Sequence, residues 1–248
     1  MANAELVVYR GTEKGSFKSY QVPVQSGMVV LDAIHHIQAV EDSTLAVRWN
    51  CKAGKCGSCS AEVNGKPVLM CMTRMDKFPE NLPIRVEPLK AFPVIKDLVT
   101  DVSWNYEVNK KIPPFDPMKP ESDGTWRMQQ HDIDRVQEFR KCIECFLCQD
   151  VCHVVRDHSK KSSFGGPRFL VRAASLVMHP LDKKDRIPFI KETLGVGLCN
   201  ITKCCTEVCP ENITITDNAI IPLKEMVVSR FYDPILALLR LGSSIFKK

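Results

Sequence analysis

Twelve cysteines stand in three groups of four along this chain of 248 residues, and the spacing inside each group suits thiolates that wrap iron and sulfide. The first group is Cys51, Cys56, Cys59 and Cys71. The second is Cys142, Cys145, Cys148 and Cys152, and the third is Cys199, Cys204, Cys205 and Cys209, with Pro210 behind it. Clusters held by such thiolates take up and release single electrons. Three of them in one chain describe an electron wire.

The first group reads C-x4-C-x2-C, then eleven residues and a last cysteine, the plant-type ferredoxin spacing for a [2Fe-2S] centre. Gly54 and Gly57 lie between the ligands, where the backbone must curl so that its N-H groups can face sulfur. Zinc normally takes paired C-x2-C halves, which Cys51 and Cys71 do not form. The second group, C-x2-C-x2-C-x3-C, is the bacterial ferredoxin run, whose fourth cysteine crosses to a neighbouring cluster. By that rule Cys142, Cys145, Cys148 and Cys209 hold a [4Fe-4S] cluster, and Cys152 joins Cys199 and Cys205. A matching run from Cys199 would need a cysteine at 202, where Thr202 stands. Three thiolates remain, which suits [3Fe-4S]. Cys204 has two readings, a small buried side chain or a fourth ligand completing a cubane.

These residues make the chain resemble the iron-sulfur subunit of succinate dehydrogenase and fumarate reductase. The resemblance rests on Cys51-Lys-Ala-Gly-Lys-Cys56-Gly-Ser-Cys59 with Cys71, on Cys142-Ile-Glu-Cys145-Phe-Leu-Cys148 with Cys152, and on Cys199 with Cys205 through Cys209-Pro210. Phe92-Pro-Val-Ile-Lys-Asp-Leu-Val99 is similar to the family as well. The resemblance implies that electrons pass from covalently bound FAD on a flavoprotein partner through [2Fe-2S], [4Fe-4S] and [3Fe-4S] to a membrane quinone such as menaquinone. It also implies membrane anchor subunits, a peripheral position on the cytoplasmic face of a bacterial plasma membrane, and a dicarboxylate site on the partner. No catalytic acid, base or nucleophile is expected on this chain. Fumarate reduction by quinol is the alternative direction.

The resemblance thins where quinone would bind. The family's proline and tryptophan after the second group, and its histidine after the first cysteine of the third, are replaced here by His153, by Arg156 with Asp157, and by Asn200. His153, Arg156 and Asn200 are the candidate quinone residues. His153 beside a ligand suits either proton uptake or a hydrogen bond to sulfur or backbone. Two rival readings are a zinc-stabilised binding module and the iron-sulfur subunit of another flavin dehydrogenase, such as a thiol-linked fumarate reductase. The second rival calls for Cys-Cys-Gly motifs, whereas Cys204-Cys205 is followed by Thr206.

Composition removes further classes. With 12 cysteines in 248 residues and no secretory signal in Met1 to Tyr20, a disulfide scaffold is not expected. The formal charge of +5 counts thiols as neutral. Each oxidised cluster with its thiolates carries about two negative charges, so three subtract about six and leave the loaded chain near neutral. The basic character is countercharge, and no nucleic-acid partner is expected. Lys160-Lys161 and Lys183-Lys184 read as solvated loops.

The elements that must position the thiols follow from pattern. Glu5 to Tyr9 and Phe17 to Val22 read as a hairpin, Val30, Leu31, Ile34 and Ile37 as a helix, and Asn64-Gly65 as a two-residue turn returning the chain to Cys71. His35 and His36 fall on that helix as ordinary residues. With a strand near Ile84 to Val86 this makes a β-grasp sheet on one helix, the plant-type ferredoxin-like domain of residues 1–105. Four prolines between Lys111 and Gly124 mark a connector, ordered or mobile. Helices near Ile133 to Phe139 and from Pro167 to Val177 make residues 106–248 a helical, bacterial dicluster ferredoxin-like domain, for an α+β chain overall. Ile235 to Leu241 with Ile245 and Phe246 is too short and too interrupted to cross a bilayer, and reads as a docking, interfacial or core helix. Trp104 and Trp126 read as packing or interface residues.

Overall fold

The computed structural model describes residues 3–79, 81–157 and 162–234. The apolar C-terminal stretch and Lys160-Lys161 lie outside the described residues.

β1 (Asn3–Arg10) and β2 (Ser16–Pro23) pair antiparallel with Leu6 opposite Tyr20. Leu6, Val8, Tyr20 and Val22 are all buried, the period-two placement that holds a two-faced strand in register. β3 (Ser60–Val63) and β4 (Lys66–Leu69) join through Asn64 and Gly65, at φ 48° and 75°. Both angles are left-handed, as a tight hairpin requires. The Asn64 side chain also accepts the Arg85 N–H at 2.8 Å, tying the turn to β5 (Ile84–Glu87). The sheet runs β2-β1-β5-β3-β4, with β5 parallel to β1 and antiparallel to β3. α1 (Val30–His36) puts Val30, Leu31, Ala33 and Ile34 into the same core. This is the expected β-grasp. A short ribbon of β6 (Val94–Lys96) and β7 (Val99–Thr100) then leads out of it.

Helices follow: α2 (Ser103–Lys111), α3 (Gln130–Gln137), α4 (Leu147–Val151), α5 (His153–Arg156), α6 (Pro167–Val177), α7 (Ile187–Glu192), α8 (Cys204–Glu207) and α9 (Ile221–Phe231). α6 starts on Pro167, whose missing N–H costs nothing in a first turn, and buries Phe169, Leu170 and Ala173. The proline-rich connector is tied to the helical half. Buried Arg186 donates to the carbonyls of Pro113 at 2.7 Å and Pro114 at 2.8 Å while paired with Asp182, so the strap lies along the helical half. Trp104 packs edge-on against Phe169, and exposed Trp126 donates to the Met118 carbonyl at 3.0 Å.

The boundary expected at residue 105 falls inside α2, which buries Asn105 and Val108. The interior does not divide there either. Phe146 of the helical half stacks edge-on with Phe92 of the first half at 6.3 Å, and one apolar core runs through both halves.

Candidate metal centres

The first thiol group is made by one loop and one strand end. Lys52, Gly54 and Gly57 take φ 54°, 68° and 69°, which curls the backbone between Cys51 and Cys59. The N–H groups of Ala53 and Lys55 point at Cys51 Sγ from 3.4 and 3.3 Å. Cys71 arrives from beyond β4, held beside Cys59 by the Met70 N–H, which donates to the Cys59 carbonyl at 3.1 Å. Burial pushes the Cys59 thiol up to about 12. Burial also opposes ionisation of Cys56, but hydrogen bonds from Ser58 and Cys51 overcome it and bring that thiol down to about 7.

Cys142, Cys145, Cys148 and Cys209 line one cavity, whose apolar walls include Phe146, Val171 and Ile215. Glu144 at φ 57° and Phe146 at φ 61° fold the loop back so that three thiols face inward. Cys209 comes from much later in the chain, just past α8. The Ile213 N–H faces its Sγ at 3.4 Å. Burial pushes Cys145 up to about 12 and Cys148 well above the ordinary thiol value, with neighbouring thiols adding to each.

Cys152, Cys199 and Cys205, the expected third ligand set, lie with Cys204 about the packing of α4 on α8. Cys152, at the end of α4, is raised to about 11 by burial, with Cys204 and Cys205 beside it. Cys205 is buried on α8, its Sγ 3.5 Å from Thr216 Oγ1. Cys199 is half-buried. Cys204 is also half-buried rather than fully enclosed, and its Sγ lies 3.3 Å from Thr202 Oγ1.

The residues fit iron-sulfur clusters on two grounds. The donor set is thiols gathered by left-handed loops, and burial raises Cys59, Cys145, Cys148, Cys152, Cys205 and Cys209 as bare groups, which a cluster stabilises once it takes them as thiolates. In addition, Arg168 lines the cavity of the second group, and its buried Nε–H has no hydrogen-bond partner.

Comparison with known proteins agrees with this donor chemistry. Residues 5–107 match the model of a 2Fe-2S iron-sulfur cluster binding domain, and residues 138–213 match that of a 4Fe-4S dicluster domain. The fumarate reductase iron-sulfur subunit of Mycobacterium tuberculosis is 32% identical over 206 residues, which cover 80% of this chain and 81% of that one. The chain belongs to the family of fumarate reductase and succinate dehydrogenase iron-sulfur subunits. A chain in the structure of the Mycobacterium smegmatis Sdh1 complex in the apo form superposes on this subunit with a TM-score of 0.91 at 61% identity, covering 94% of this chain and 98% of that one. The succinate dehydrogenase iron-sulfur subunit of Bacillus subtilis is 29% identical over 215 residues, which cover 80% of this chain and 81% of that one. As an iron-sulfur subunit of an oxidoreductase complex, this chain carries [2Fe-2S] and [4Fe-4S] clusters, with [3Fe-4S] as the third.

The candidate quinone residues are placed differently from one another. His153 and Asn200 are exposed, directly after Cys152 and Cys199 respectively. Arg156 turns into the contact between the two halves, where its guanidinium lies 2.5 Å from Glu62 and 3.3 Å from Asp150. Both carboxylates are fully buried. Burial pushes Asp150 up to about 7, Glu62 adds to this and Arg156 opposes it, while an Asp150 oxygen accepts the Ala91 N–H at 2.9 Å.

Arg168, Ser60 and the Lys55–Glu211 ion pair were not singled out from sequence. For Arg168 a signal existed, since a cation in the first turn of a helix opposes the helix dipole.

Proposed function

We propose that this subunit relays electrons from a flavin-carrying partner to a membrane quinone, as part of a succinate:quinone oxidoreductase on the cytoplasmic face of the membrane. Cys51, Cys56, Cys59 and Cys71 hold [2Fe-2S]. Cys142, Cys145, Cys148 and Cys209 hold [4Fe-4S], and Cys152, Cys199 and Cys205 hold [3Fe-4S]. When bound, the clusters supply one-electron oxidation and reduction at three successive sites. Oxidation of succinate to fumarate yields two electrons and two protons, so the relay serves twice per turnover.

The observation that carries this reading is the order of contacts between thiol sets. Gly57 of the first loop lies so close to the second that a Cβ there would meet Cys145 Cα at 2.5 Å. Cys148 of the second set neighbours Cys205 of the third. At the first end Trp49 and Met72 are exposed beside Cys51 and Cys71, an apolar face suited to the flavoprotein. At the third end Leu198 and Ile201 are exposed next to Cys199 and Asn200 in the chain, and exposed Val228 and Tyr232 of α9 and its end line a pocket with Leu198. That patch suits an anchor subunit, because among the described residues no helix is long and apolar enough to cross a membrane. His153 and Asn200 are the residues proposed to face quinone, while Arg156 serves the interface between the halves.

The test is low-temperature EPR of the complex purified anaerobically from membranes, before and after succinate. A three-iron signal in the oxidised sample that vanishes on succinate addition, as a reduced [2Fe-2S] signal grows, supports the reading. Clusters reduced by dithionite but not by succinate would assign the relay to another dehydrogenase.

A further inference from the structure

Arg168 is the second residue of α6, where the helix dipole disfavours a cation. Such a side chain would ordinarily extend into water. This one is 7% exposed. One guanidinium nitrogen pairs with Glu144, which sits on the thiol loop between Cys142 and Cys145. The Nε–H is buried without a hydrogen-bond partner, and the side chain lines the cavity shared by Cys142, Cys145, Cys148 and Cys209. A buried donor left unpaired, and a charged one above all, is costly unless whatever fills the cavity accepts its bond.

We infer that Arg168 sets the reduction potential of the second centre by presenting its Nε–H and its positive charge to the bound cluster. The inference rests on the ligand assignment proposed above. Reduction by one electron adds one negative charge to the cluster and requires no proton. A cation and a donor facing it favour the more negative state, so they raise the midpoint potential. Glu144 offsets part of this, but its side chain is 47% exposed and screened by water, whereas the guanidinium is not.

The experiment is a mediator titration of the complete complex, followed by EPR, comparing the unsubstituted protein with Arg168→Gln and Arg168→Lys. Arg168→Gln is expected to shift the midpoint of the second centre to more negative potential and to leave the first and third centres in place. Arg168→Lys, which keeps the charge but not the planar fork, is expected to fall between. A second centre present in both variants at the unsubstituted potential overturns the inference, and so does its loss from both, which would make Arg168 a structural support. If Arg168→Gln alone loses the centre, the Lys variant decides, a negative shift supporting the inference and an unshifted value overturning it. Absence of a [4Fe-4S] signal from the unsubstituted complex would instead refute the ligand assignment.

Discussion

Cys204 and Cys205 are neighbours in sequence, yet successive residues on a helix point about 100° apart, so one environment cannot serve both. Cys205 faces inward to Thr216, whereas Cys204 lies beside Thr202, the position where the cysteine run lacks a ligand. With Cys204 outside the ligand set, Cys204→Ser leaves the oxidised three-iron EPR signal intact. If Cys204 were a fourth ligand, the unsubstituted protein would lack that signal and the serine variant would gain it. Thr202→Cys is expected to abolish the three-iron signal by supplying a fourth thiolate. At this scale the sequence was informative wherever chemistry is written as spacing. The gathering of Cys209 with Cys142, Cys145 and Cys148 in one cavity was legible from the run alone. For Arg168 the cation in a helix's first turn was the only sequence hint, because its task depends on a cavity that only tertiary packing creates. The engagement of Arg156 with Glu62 and Asp150 escaped for the same reason, since its partners come from 94 and 6 residues away.

Two loops carrying the first and second thiol sets are pressed together, and three features hold them. Gly57 leaves out the Cβ that would collide with Cys145, the Ser60 hydroxyl lies within 2.8 Å of the Gly57 carbonyl and 2.9 Å of the Cys145 carbonyl, and Lys55 pairs with Glu211 at 3.1 Å. Gly57→Ala therefore strains φ 69° and pushes the loops apart, with an expected cost of about 2–4 kcal/mol. Thermal unfolding should show the loss, and EPR should show lowered occupancy of the first and second centres with the third retained. A variant as stable and as fully loaded as the unsubstituted protein would mean the loops have room to part. Arg156→Ala leaves Glu62 and Asp150 buried without that cation. Removing one partner of a buried ion pair costs about 3–5 kcal/mol, and with 33% of the Arg156 side chain in solvent about 2–3 kcal/mol is expected. Lys90, which also reaches Glu62 at 2.6 Å, limits the loss. Denaturant unfolding of the complete chain measures it, and a change below about 0.5 kcal/mol would show that the network is no more than a surface contact. The hairpins and α6 were legible because their turn residues and apolar periods are local. The extent of α2 across the expected boundary was not, since Pro113 begins the visible break only after the helix has ended.

Across the whole molecule, one core spans both halves and the thiol sets follow one another from an exposed face at Trp49 and Met72 to another at Leu198, Ile201, Val228 and Tyr232. Such polarity suits a subunit that is covered at both ends, because exposed apolar side chains beside exposed Cys51 and half-buried Cys199 leave water access to the terminal sets until a partner seals them. The face by the third set tests this most directly. Val228 lies on α9 with 55% of its surface exposed, so Val228→Asp changes the isolated subunit by no more than about 0.5 kcal/mol. In the complex the same carboxylate would have to lose its water against an apolar partner, or keep that partner away. The expected outcome is that Val228→Asp shifts this subunit from the membrane fraction to the soluble fraction, with its [2Fe-2S] signal preserved. On the proposed orientation, with the third end at the membrane and the first on the flavoprotein, reduction of that centre by succinate should persist while quinone reduction falls. A variant that stays on the membrane with full quinone reduction would move the anchor contact to another face.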